Sequence, residues 1–232
     1  MTTRFCKGLK PGLYALTDSH LLPEPLLIPG VQAALEGGAV LVQYRDKTAT
    51  ASDRLRRAFS LVDLCRDAGV PLIINDDADL AKRCGAAGVH LGQDDGSVPD
   101  ARALLGEGAI IGVTCHASPE LARAASAAGA DYLAFGRFYH STTKPGAPAA
   151  DATILTDAWQ FGLPVTAIGG VTLDNGKALI QSGADMLAVV GGLFGGPPQS
   201  VRAQAEAFRN LFAEHHSFYS LSSDSPSNSQ ES

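Results

Sequence analysis

A short apolar run that follows a glycine recurs eight times along this chain of 232 residues. Glycine just past a helix supplies the left-handed cap that turns the chain into a strand, so each unit predicts a helix end followed by a buried strand. Glycine accounts for 25 of the 232 residues, about one in nine, whereas its typical usage is about 7%. The predicted strands cover residues 12–16, 38–43, 69–74, 88–91, 108–113, 129–135, 162–168 and 183–190.

Stretches rich in Ala, Leu, Arg and Glu separate these runs and are typical of helices. In the first of them, one face is predicted to be buried because apolar side chains recur there at helical spacing. Those side chains are Leu55, Phe59, Val62, Leu64 and Cys65. The predicted helices cover residues 52–68, 79–84, 119–128, 175–182 and 198–214.

Short unbroken apolar strands that alternate with helices are typical of a parallel sheet buried on both faces. Eight strand–helix units at spacings of about 20–30 residues predict a (β/α)8 TIM barrel, with Ser52 and Ser118 as helix caps. A doubly wound open sheet is the alternative, but that fold has fewer units and a glycine-rich first turn. The first turn here, residues 17–20, contains no glycine.

One barrel domain is expected over residues 1–216, followed by a serine-rich, disordered tail over residues 217–232. A net charge of −6 argues against nucleic acid or an anionic membrane as the main partner, and nothing indicates an oligomeric state. No run approaches the roughly 18 apolar residues of a membrane span, and no signal-peptide core is present. Four cysteines without a Cys-x-x-Cys pair are expected to be reduced thiols of a cytoplasmic protein.

Active sites of such barrels lie at the carboxyl ends of the strands, so polar residues there are candidates for function. After the second strand, the two-residue period places Gln43, Arg45 and Lys47 on one side. Tyr44 and Asp46 fall on the other side. An amide and two cations inside a barrel indicate a bound anion, and the alternative is ion pairing with carboxylates within the barrel.

Two acidic pairs follow the third and fourth strands, Asp76-Asp77 and Asp94-Asp95. Sparse oxygen ligands suit Mg²⁺, which keeps several waters and takes phosphate oxygens from its substrates. Zinc is disfavoured because no His or Cys pair has the required spacing. Asp77 and Asp94 are alternatively helix N-caps, so Asp76 and Asp95 are the preferred metal ligands.

The fifth strand ends in Thr114, Cys115 and His116. Neighbours on a strand point in opposite directions, so a Cys115–His116 nucleophilic pair is not expected. His116 is a candidate polar contact or a structural histidine. His20 and His90 are expected to be structural.

Two further segments favour anion binding. Ser141, Thr143 and Lys144 lie on a loop long enough to fold over the barrel mouth, the alternative being a solvated surface loop. Gly169-Gly170 and Gly191-Gly192 end the last two strands, where barrels often bind phosphate through backbone N–H groups. Two anion sites with Mg²⁺ and no evident nucleophile predict transfer between two phosphorylated molecules, with phosphate or diphosphate leaving.

Taken in order, these strand ends resemble the thiamine phosphate synthase family. The matching motifs are Gln-x-Arg-x-Lys at 43–47, Asn-Asp-Asp at 75–77, Gly-Gln-x-Asp at 92–95, the Thr-x-Thr-Lys loop at 141–144 and Ile-Gly-Gly at 168–170. The likeness spans residues 12–212. It implies a (β/α)8 barrel that joins a hydroxymethylpyrimidine diphosphate to a thiazole phosphate and releases diphosphate.

The resemblance implies a role for each matched residue. The pyrimidine diphosphate would be held by Gln43, Arg45, Lys47, Asn75, Thr114 and Lys144. Catalytic roles are implied for Arg45, Lys47 and Lys144. One Mg²⁺ per site would be bound by Asp76 and Asp95. The thiazole phosphate would be held by Ser141, Thr143, Gly170, Val190 and Gly191.

The implied chemistry is dissociative, because Mg²⁺ and the cations would neutralise the departing diphosphate while a carbocation-like methylene forms. The thiazole nitrogen would then attack, so no protein nucleophile or general base is required. A thiazole tautomerase-like relative or a non-catalytic thiamine phosphate binder is the alternative. An epimerase or indole-forming barrel would instead need an acid–base pair at the strand ends.

The chain departs from the family pattern at several positions. Thr114 replaces a usual Ser, Arg137 and His140 replace Pro, Ser141 replaces Thr, and Gly191 replaces a common Ser. These changes concern substrate affinity more than reaction type. Residues 137–150 are expected to form the lid.

Overall fold

The structure is a computed structural model that describes residues 4–139 and 150–219. Its strands are β1 (Gly12–Leu16), β2 (Leu41–Tyr44), β3 (Leu72–Asn75), β4 (Gly88–Leu91), β5 (Ile110–His116), β6 (Tyr132–Phe135), β7 (Val165–Ile168) and β8 (Met186–Val189). Its α-helices are α1 (Glu24–Glu36), α2 (Ala51–Asp67), α3 (Ala78–Cys84), α4 (Val98–Leu105), α5 (Pro119–Ala127), α6 (Thr153–Asp157), α7 (Leu173–Gln181) and α8 (Pro198–His215). A 3₁₀ turn, Ala158–Phe161, follows α6.

The strands form a closed parallel barrel in sequence order, and β8 pairs with β1. This confirms the predicted (β/α)8 barrel and excludes the open sheet. Each of the eight predicted apolar runs overlaps a strand, because an unbroken apolar segment is needed where a strand is covered by helices outside and by side chains within, although β2, β3 and β5 extend beyond their predicted ends.

Alternation along the strands divides the apolar residues into two layers. The inner layer fills the barrel, and the outer layer packs the strands against the helices. On β2, Leu41 faces inward whereas Val42 and Tyr44 face outward. The inner layer consists of Leu9, Tyr14, Leu16, Leu41, Ile73, Ile110, Tyr132, Met186 and Ala188.

Gly112 on β5 makes room in the barrel for an aromatic ring. A Cβ atom at this position would lie 2.0 Å from Cζ of Tyr132. The ring of Tyr132 therefore occupies the space that a side chain on β5 would otherwise fill. Its hydroxyl group reaches the middle of the barrel, next to that of Tyr14.

Two of the predicted helix caps have different outcomes. The cap at Ser118 is confirmed, since its hydroxyl accepts the N–H of Leu121 at 3.2 Å. The cap at Ser52 is wrong. Helix α2 begins one residue earlier, and Thr50 caps it by accepting the N–H of Asp53 at 3.2 Å. Ser52 already lies in the first helical turn, where a side chain cannot act as the N-cap.

The buried face of α2 also differs from the prediction at one position. Ala58, Leu61 and Cys65 form its fully buried stripe, with Leu55 packed beside it. Phe59 was expected on this face but is 47% exposed. The buried stripe therefore passes through Ala58 and leaves Phe59 at its edge.

Both ends of the described region pack against the barrel: Arg4 contacts Asp185, just before β8, and residues near the other end pack on α8. Residues 217–219 belong to the expected tail, and Tyr219 packs against Phe212 of α8 with ring centroids 6.0 Å apart. Residues 220–232 lie outside the described residues, so the domain division stays a prediction. No helix among the described residues is both long and apolar enough to cross a membrane.

Candidate active site

The ends of β2, β3 and β4 bring polar side chains around one open cavity at the rim of the barrel mouth, which is also lined by Arg54 of α2 and Leu80 of α3. The cavity has a volume of ≈ 590 Å³. Lys47, Asn75, Asp76 and Asp95 are among its lining residues. The three strands are neighbours in the barrel, so the carboxyl-end segments that follow them meet there. Four residues that were candidates from the sequence therefore lie together.

The carboxylates of Asp76 and Asp95 are close enough to affect each other. Burial raises the pKa of Asp95, and the charge of Asp76 together with a hydrogen bond between the two side chains raises it further. Asp95 also accepts the N–H of Gly92 at 2.9 Å, which lowers its pKa, as does Lys47. Adjacent carboxylates favour a cation between them, so this donor set fits a divalent ion that takes its other ligands from water and phosphate.

Among the described residues, Asp76 and Asp95 have no third strong metal ligand beside them. In residues 4–139 and 150–219 no group of three or more His, Cys, Asp or Glu side chains could hold a metal ion. A site of this kind depends on the substrate to complete the coordination.

The backbone of Asp76 is held in an unusual conformation. Its φ is 63°, in the left-handed region, and its N–H donates to the carbonyl of His90 at 2.8 Å. Asp and Asn tolerate this region better than other non-glycine residues. Conformations of this kind cluster at functional sites, where the surrounding structure enforces them.

The two cations after β2 are both ion-paired, which was the alternative to anion binding. Nη1 of Arg45 lies 3.3 Å from Oδ2 of Asp18, which follows β1. Nζ of Lys47 lies 3.4 Å from Oδ2 of Asp76, and the Lys47 side chain is 62% exposed. Because both groups remain partly exposed and these contacts are long, the pairs leave the cations able to bind an anion.

The predicted alternation after β2 is confirmed for Gln43, Tyr44 and Asp46, but not for Lys47, which lines the same cavity as Tyr44 and Asp46. Gln43 points into the barrel and is buried, whereas Tyr44 packs in the outer layer. Asp46 also turns outward and accepts a hydrogen bond from Arg57 of α2 at 2.7 Å.

Five polar side chains form a continuous hydrogen-bonded series across the barrel, here called the lumen chain. Its members, in order, are Gln43, Tyr14, Tyr132, His90 and Thr114. The successive distances are 2.6 Å from Gln43 Nε2 to the Tyr14 hydroxyl and 2.8 Å between the two tyrosine hydroxyls. The chain continues at 2.8 Å from Tyr132 to His90 Nδ1 and at 2.8 Å from His90 Nε2 to Thr114 Oγ1.

Burial controls the charge of the lumen chain. It lowers the pKa of His90 to about 4, so the imidazole is neutral at pH 7. Burial also raises the pKa of both tyrosine hydroxyls, Tyr14 and Tyr132, which therefore stay protonated. His90 was expected to be structural, but its two ring nitrogens connect Tyr132 to a candidate substrate contact, Thr114.

The ends of β7 and β8 place two glycine-rich turns side by side, since Ile168 pairs with Ala188. Gly170 has φ 68°, and its carbonyl accepts a hydrogen bond from Asn175 Nδ2 at 2.9 Å. Val190 packs on the inner layer, and exposed Gly191 follows it. The candidate phosphate contacts Gly170, Val190 and Gly191 thus lie on adjacent strand ends.

The candidates on the loop after β6 lie outside the described residues. They are Ser141, Thr143 and Lys144, together with His140. Most of the expected lid, residues 140–149, lies there as well. These assignments stay predictions.

The end of β5 contains no activated nucleophile. Burial raises the pKa of the Cys115 thiol to about 12, and its Sγ lies 3.6 Å from the carbonyl of Val113. His116 is exposed at the end of β5 and has φ 50°. Its carbonyl accepts the N–H of Gly136 at 3.0 Å. The buried thiol and the exposed imidazole agree with the expectation that they do not form a catalytic pair.

Comparison with known proteins decides the family. The sequence profile described as thiamine monophosphate synthase matches residues 13–193. The chain belongs to the thiamine monophosphate synthase family. It is therefore an enzyme, a transferase of the EC 2.5.1.3 type, as the strand-end motifs implied.

Individual members of the family agree. A thiamine-phosphate synthase from Marinobacter nauticus is 62% identical over 214 residues, which are 92% of this chain and 96% of that protein. The solved structure of thiamine phosphate pyrophosphorylase from Pyrococcus furiosus is 31% identical, with a TM-score of 0.79 over 90% of this chain and 98% of that chain. A thiamine phosphate pyrophosphorylase from Bacteroides thetaiotaomicron, 18% identical with a TM-score of 0.63 over 88% of this chain and 99% of that chain, supports the fold alone.

Sequence reasoning missed the middle of the lumen chain in this thiamine monophosphate synthase family member. Tyr14 and Tyr132 were counted only as apolar strand residues, and His90 was left without a partner. A usable signal was the strand period, which puts Tyr14 and His90 on the inward side of their strands, facing the same space as Gln43.

Proposed function

We propose that this transferase joins 4-amino-5-hydroxymethyl-2-methylpyrimidine diphosphate to 4-methyl-5-(2-phosphoethyl)thiazole or its carboxylated precursor. The products are thiamine phosphate and diphosphate; from the carboxylated precursor, the carboxyl group also leaves as carbon dioxide and the ring carbon takes a proton from solvent. The observation that carries the proposal is the convergence of Lys47, Asn75, Asp76 and Asp95 around one cavity at the barrel mouth, while the neutral, hydrogen-bonded lumen chain lies inside the barrel. Such a mouth suits a substrate with a flat heterocycle at one end and a diphosphate at the other.

The pyrimidine substrate would span from the floor of the barrel to its rim. Gln43 and Thr114, the two ends of the lumen chain, would contact the ring and the group next to it. Arg45, Lys47, Asn75 and Lys144 would contact the diphosphate. Ionic contacts of this kind stabilise negative charge that develops on a leaving group.

Mg²⁺ would be held by Asp76 and Asp95, and when bound it supplies positive charge to the diphosphate oxygens. The bond between the pyrimidine methylene and the diphosphate oxygen breaks, and its electron pair leaves with the diphosphate. Lys47 and Arg45 orient that group and offset its charge. The thiazole nitrogen then donates its lone pair to the methylene carbon to form the new bond, and no proton needs to be moved by the protein.

The second substrate would be positioned by its phosphate. The backbone at Gly170, Val190 and Gly191, with Ser141 and Thr143, would bind that phosphate at the ends of β7 and β8. Holding the thiazole nitrogen close to the methylene carbon turns a bimolecular step into an effectively unimolecular one.

All four cysteines are free, which is typical of a cytoplasmic protein, and we assign the reaction to that compartment.

The test is formation of thiamine phosphate by the purified protein from the two phosphorylated precursors, with Mg²⁺ and with excess chelator. We expect product only with the metal. Asp95→Asn should lower turnover by about 10²-fold, the size of one lost electrostatic contact. Asp94→Asn is the matched control because this neighbour has the same charge but does not line the cavity, and its turnover should stay near that of the native protein.

Product that forms equally well with chelator, or equal loss in both variants, would contradict the metal assignment. A folded protein that makes no product but binds the thiazole phosphate would favour a tautomerase-like relative. Tight binding of thiamine phosphate without turnover would favour a non-catalytic binder.

A further inference from the structure

The lumen chain links two candidate substrate contacts that do not touch each other. Its members come from five strands, β2, β1, β6, β4 and β5, and its two ends are Gln43 and Thr114. Gln43, Tyr14 and Tyr132 are at most 2% exposed. Ring contacts hold the middle members in place, with centroids 5.9 Å apart for Tyr14–Tyr132 and 5.5 Å apart for His90–Tyr132.

Each inner member of the lumen chain has one proton to donate. A tyrosine hydroxyl carries one proton, and a neutral imidazole carries one N–H. Buried donors and acceptors are normally all satisfied, so each inner member must accept from one neighbour and donate to the other. A mixed arrangement would leave a buried proton without an acceptor, at a cost of about 1–3 kcal/mol.

Only two arrangements meet this requirement. In the first, Gln43 donates N–H to Tyr14, each hydroxyl donates onward, and Nε2–H of His90 donates to Thr114. In the second, every bond is reversed, so Thr114 donates to His90 and Tyr14 donates to Oε1 of Gln43. Reversal at any one bond requires reversal at all of them.

The two arrangements present different groups to a ligand. The polar atom of Gln43 that does not face Tyr14 has no hydrogen-bond partner among the described residues. In the first arrangement this atom is the carbonyl oxygen, an acceptor, and the free proton of Thr114 makes the other end a donor. In the second arrangement Gln43 is the donor and Thr114 the acceptor.

We propose that the lumen chain makes Gln43 and Thr114 a single coupled recognition unit, in which one end accepts a hydrogen bond from the substrate only while the other end donates one. Tyr14, Tyr132 and His90 are positioning residues that transmit this constraint. The identity of the substrate in this inference rests on the proposed function. The coupling of the hydrogen bonds within the lumen chain does not depend on that function.

The first arrangement matches an aminopyrimidine diphosphate. The exocyclic amino group donates to Oε1 of Gln43, and an oxygen of the diphosphate arm accepts from Thr114. An analogue with a carbonyl in place of the amino group would require Gln43 to donate. The chain would then reverse and remove the donor at Thr114, so the analogue could keep its contact with Gln43 only by losing the contact with Thr114.

The ligand-free protein allows a direct test, by ¹⁵N NMR of the histidine rings. In the native chain we expect His90 to carry its proton on Nε2. In Gln43→Glu, studied at a pH at which the introduced carboxyl is ionised and can only accept, the chain should reverse and the proton should move to Nδ1. Gln43 and His90 are separated by two tyrosines, so a purely local effect would not produce this shift.

Two variants serve as controls for the tautomer test. Gln43→Glu combined with Tyr132→Phe should not shift the proton, because the missing hydroxyl interrupts the chain. Thr166→Val removes a buried hydroxyl on β7 that has no hydrogen-bond partner among the described residues, and it should leave the His90 signals unchanged. A Gln43→Glu protein in which His90 keeps its native tautomer would overturn the proposal.

A binding measurement keeps the proposal testable if Gln43→Glu does not fold. The affinities for the 4-amino and the 4-oxo pyrimidine diphosphates are compared by calorimetry in the native protein, Tyr132→Phe and Thr166→Val. We expect the preference for the amino compound to fall by about tenfold in Tyr132→Phe, the size of one net hydrogen bond, and to stay native in Thr166→Val. An unchanged preference in Tyr132→Phe would overturn the coupling.

The two proposals fail in different ways. A native protein that binds neither pyrimidine diphosphate would remove the proposed substrate. The tautomer shift in the ligand-free protein would still decide whether the lumen chain is coupled.

Discussion

The hydroxyl of Thr166 is fully buried on β7, and its Oγ1 has no hydrogen-bond partner among the described residues. A buried polar atom without a partner opposes folding, because water satisfied it in the unfolded chain. Thr166→Val keeps the branched shape and removes the hydroxyl. We expect this change to raise the free energy of unfolding by about 1 kcal/mol, measured by urea denaturation.

Thr17 supplies the matched control for this prediction. It is as deeply buried as Thr166, but its Oγ1 accepts the N–H of Arg45 at 2.9 Å. Thr17→Val should therefore lower the free energy of unfolding by about 1–3 kcal/mol. Equal effects of the two substitutions would contradict the different bonding of the two hydroxyls.

At the residue scale, the sequence predicted which side chains reach the mouth but not how they bond. Gln43 and Thr114 were found because strand period and position are local properties. Tyr14, Tyr132 and His90 were missed because their partners lie on other strands, up to 118 residues away along the chain. Contacts of that range depend on barrel closure and register, which no local pattern encodes.

At the scale of single elements, β5 depends on a position without a side chain. Gly112→Ala would place a methyl group 2.0 Å from Cζ of Tyr132. The ring has no room to move within a filled barrel, so we expect a loss of about 1–3 kcal/mol in the free energy of unfolding. The hydrogen bond from Tyr132 to His90 should also be broken, which NMR of the His90 ring would report.

Gly108, just before β5, is the control for that substitution. A Cβ atom at Gly108 would meet nothing within 4 Å. Gly108→Ala should leave the stability within about 0.5 kcal/mol of native. A similar loss in both variants would indicate that the cost comes from the glycine backbone and not from the aromatic ring.

The start of α2 gives a second prediction at this scale. Thr50→Ala removes the hydroxyl that accepts the N–H of Asp53, so the free energy of unfolding should fall by about 1 kcal/mol. Ser52→Ala lies two residues further on, inside the helix, and should be close to neutral. Thermal unfolding of both variants checks this, and a larger loss in Ser52→Ala would restore the cap that the sequence predicted.

Helices and strands themselves were predictable because their signals are local. The Gly-led apolar runs marked all eight strands, and Ser118 was correctly placed as a cap. The errors at Ser52 and Phe59 have the same origin. Thr50 and Ser52 can both act as the N-cap of α2, and Ala58 and Phe59 can both face the barrel. Such competition is settled by how the helix sits on the barrel, which depends on tertiary packing.

At the scale of the whole molecule, one end of the barrel carries candidate substrate contacts and the other carries residues that stabilise the fold. The mouth carries the candidate substrate contacts, whereas the opposite rim carries two buried carboxylates, Asp131 and Asp185. Asp131 accepts the N–H of Ile111 at 2.8 Å, and Asp185 accepts the N–H of Val165 at 2.8 Å. Each carboxylate therefore ties the start of one strand to the strand before it.

Cations complete both sites on this rim. Asp131 pairs with Lys7 at 2.8 Å and with Arg102 at 2.7 Å. Asp185 contacts Arg4 and lies 3.1 Å from Nε2 of His216. In the sequence, the repeated Gly-Ala-Asp of residues 129–131 and 183–185 was assigned only to the start of two predicted strands, since none of these cations is near its carboxylate in sequence.

Removing one of these carboxylates should affect stability and not chemistry. Asp131→Ala leaves a strand N–H and two cations without their partner, so we expect a loss of about 3 kcal/mol or more in the free energy of unfolding. The turnover number of the folded fraction should stay native because the rim lies at the far end of the barrel. Urea denaturation and a steady-state assay on the same sample check both parts, and a drop in turnover with native stability would contradict them.

Asp185 also has a consequence for the topology of the chain. Arg4 near one end of the described region and His216 near the other both contact this carboxylate. Since β8 pairs directly with β1, hydrogen bonds close the ring of strands, and the two ends of the described region meet at the side chain of Asp185. We therefore expect the fold to tolerate circular permutation. A short peptide would join the two ends, and new termini would be placed at the exposed turn of Gly106 and Gly108.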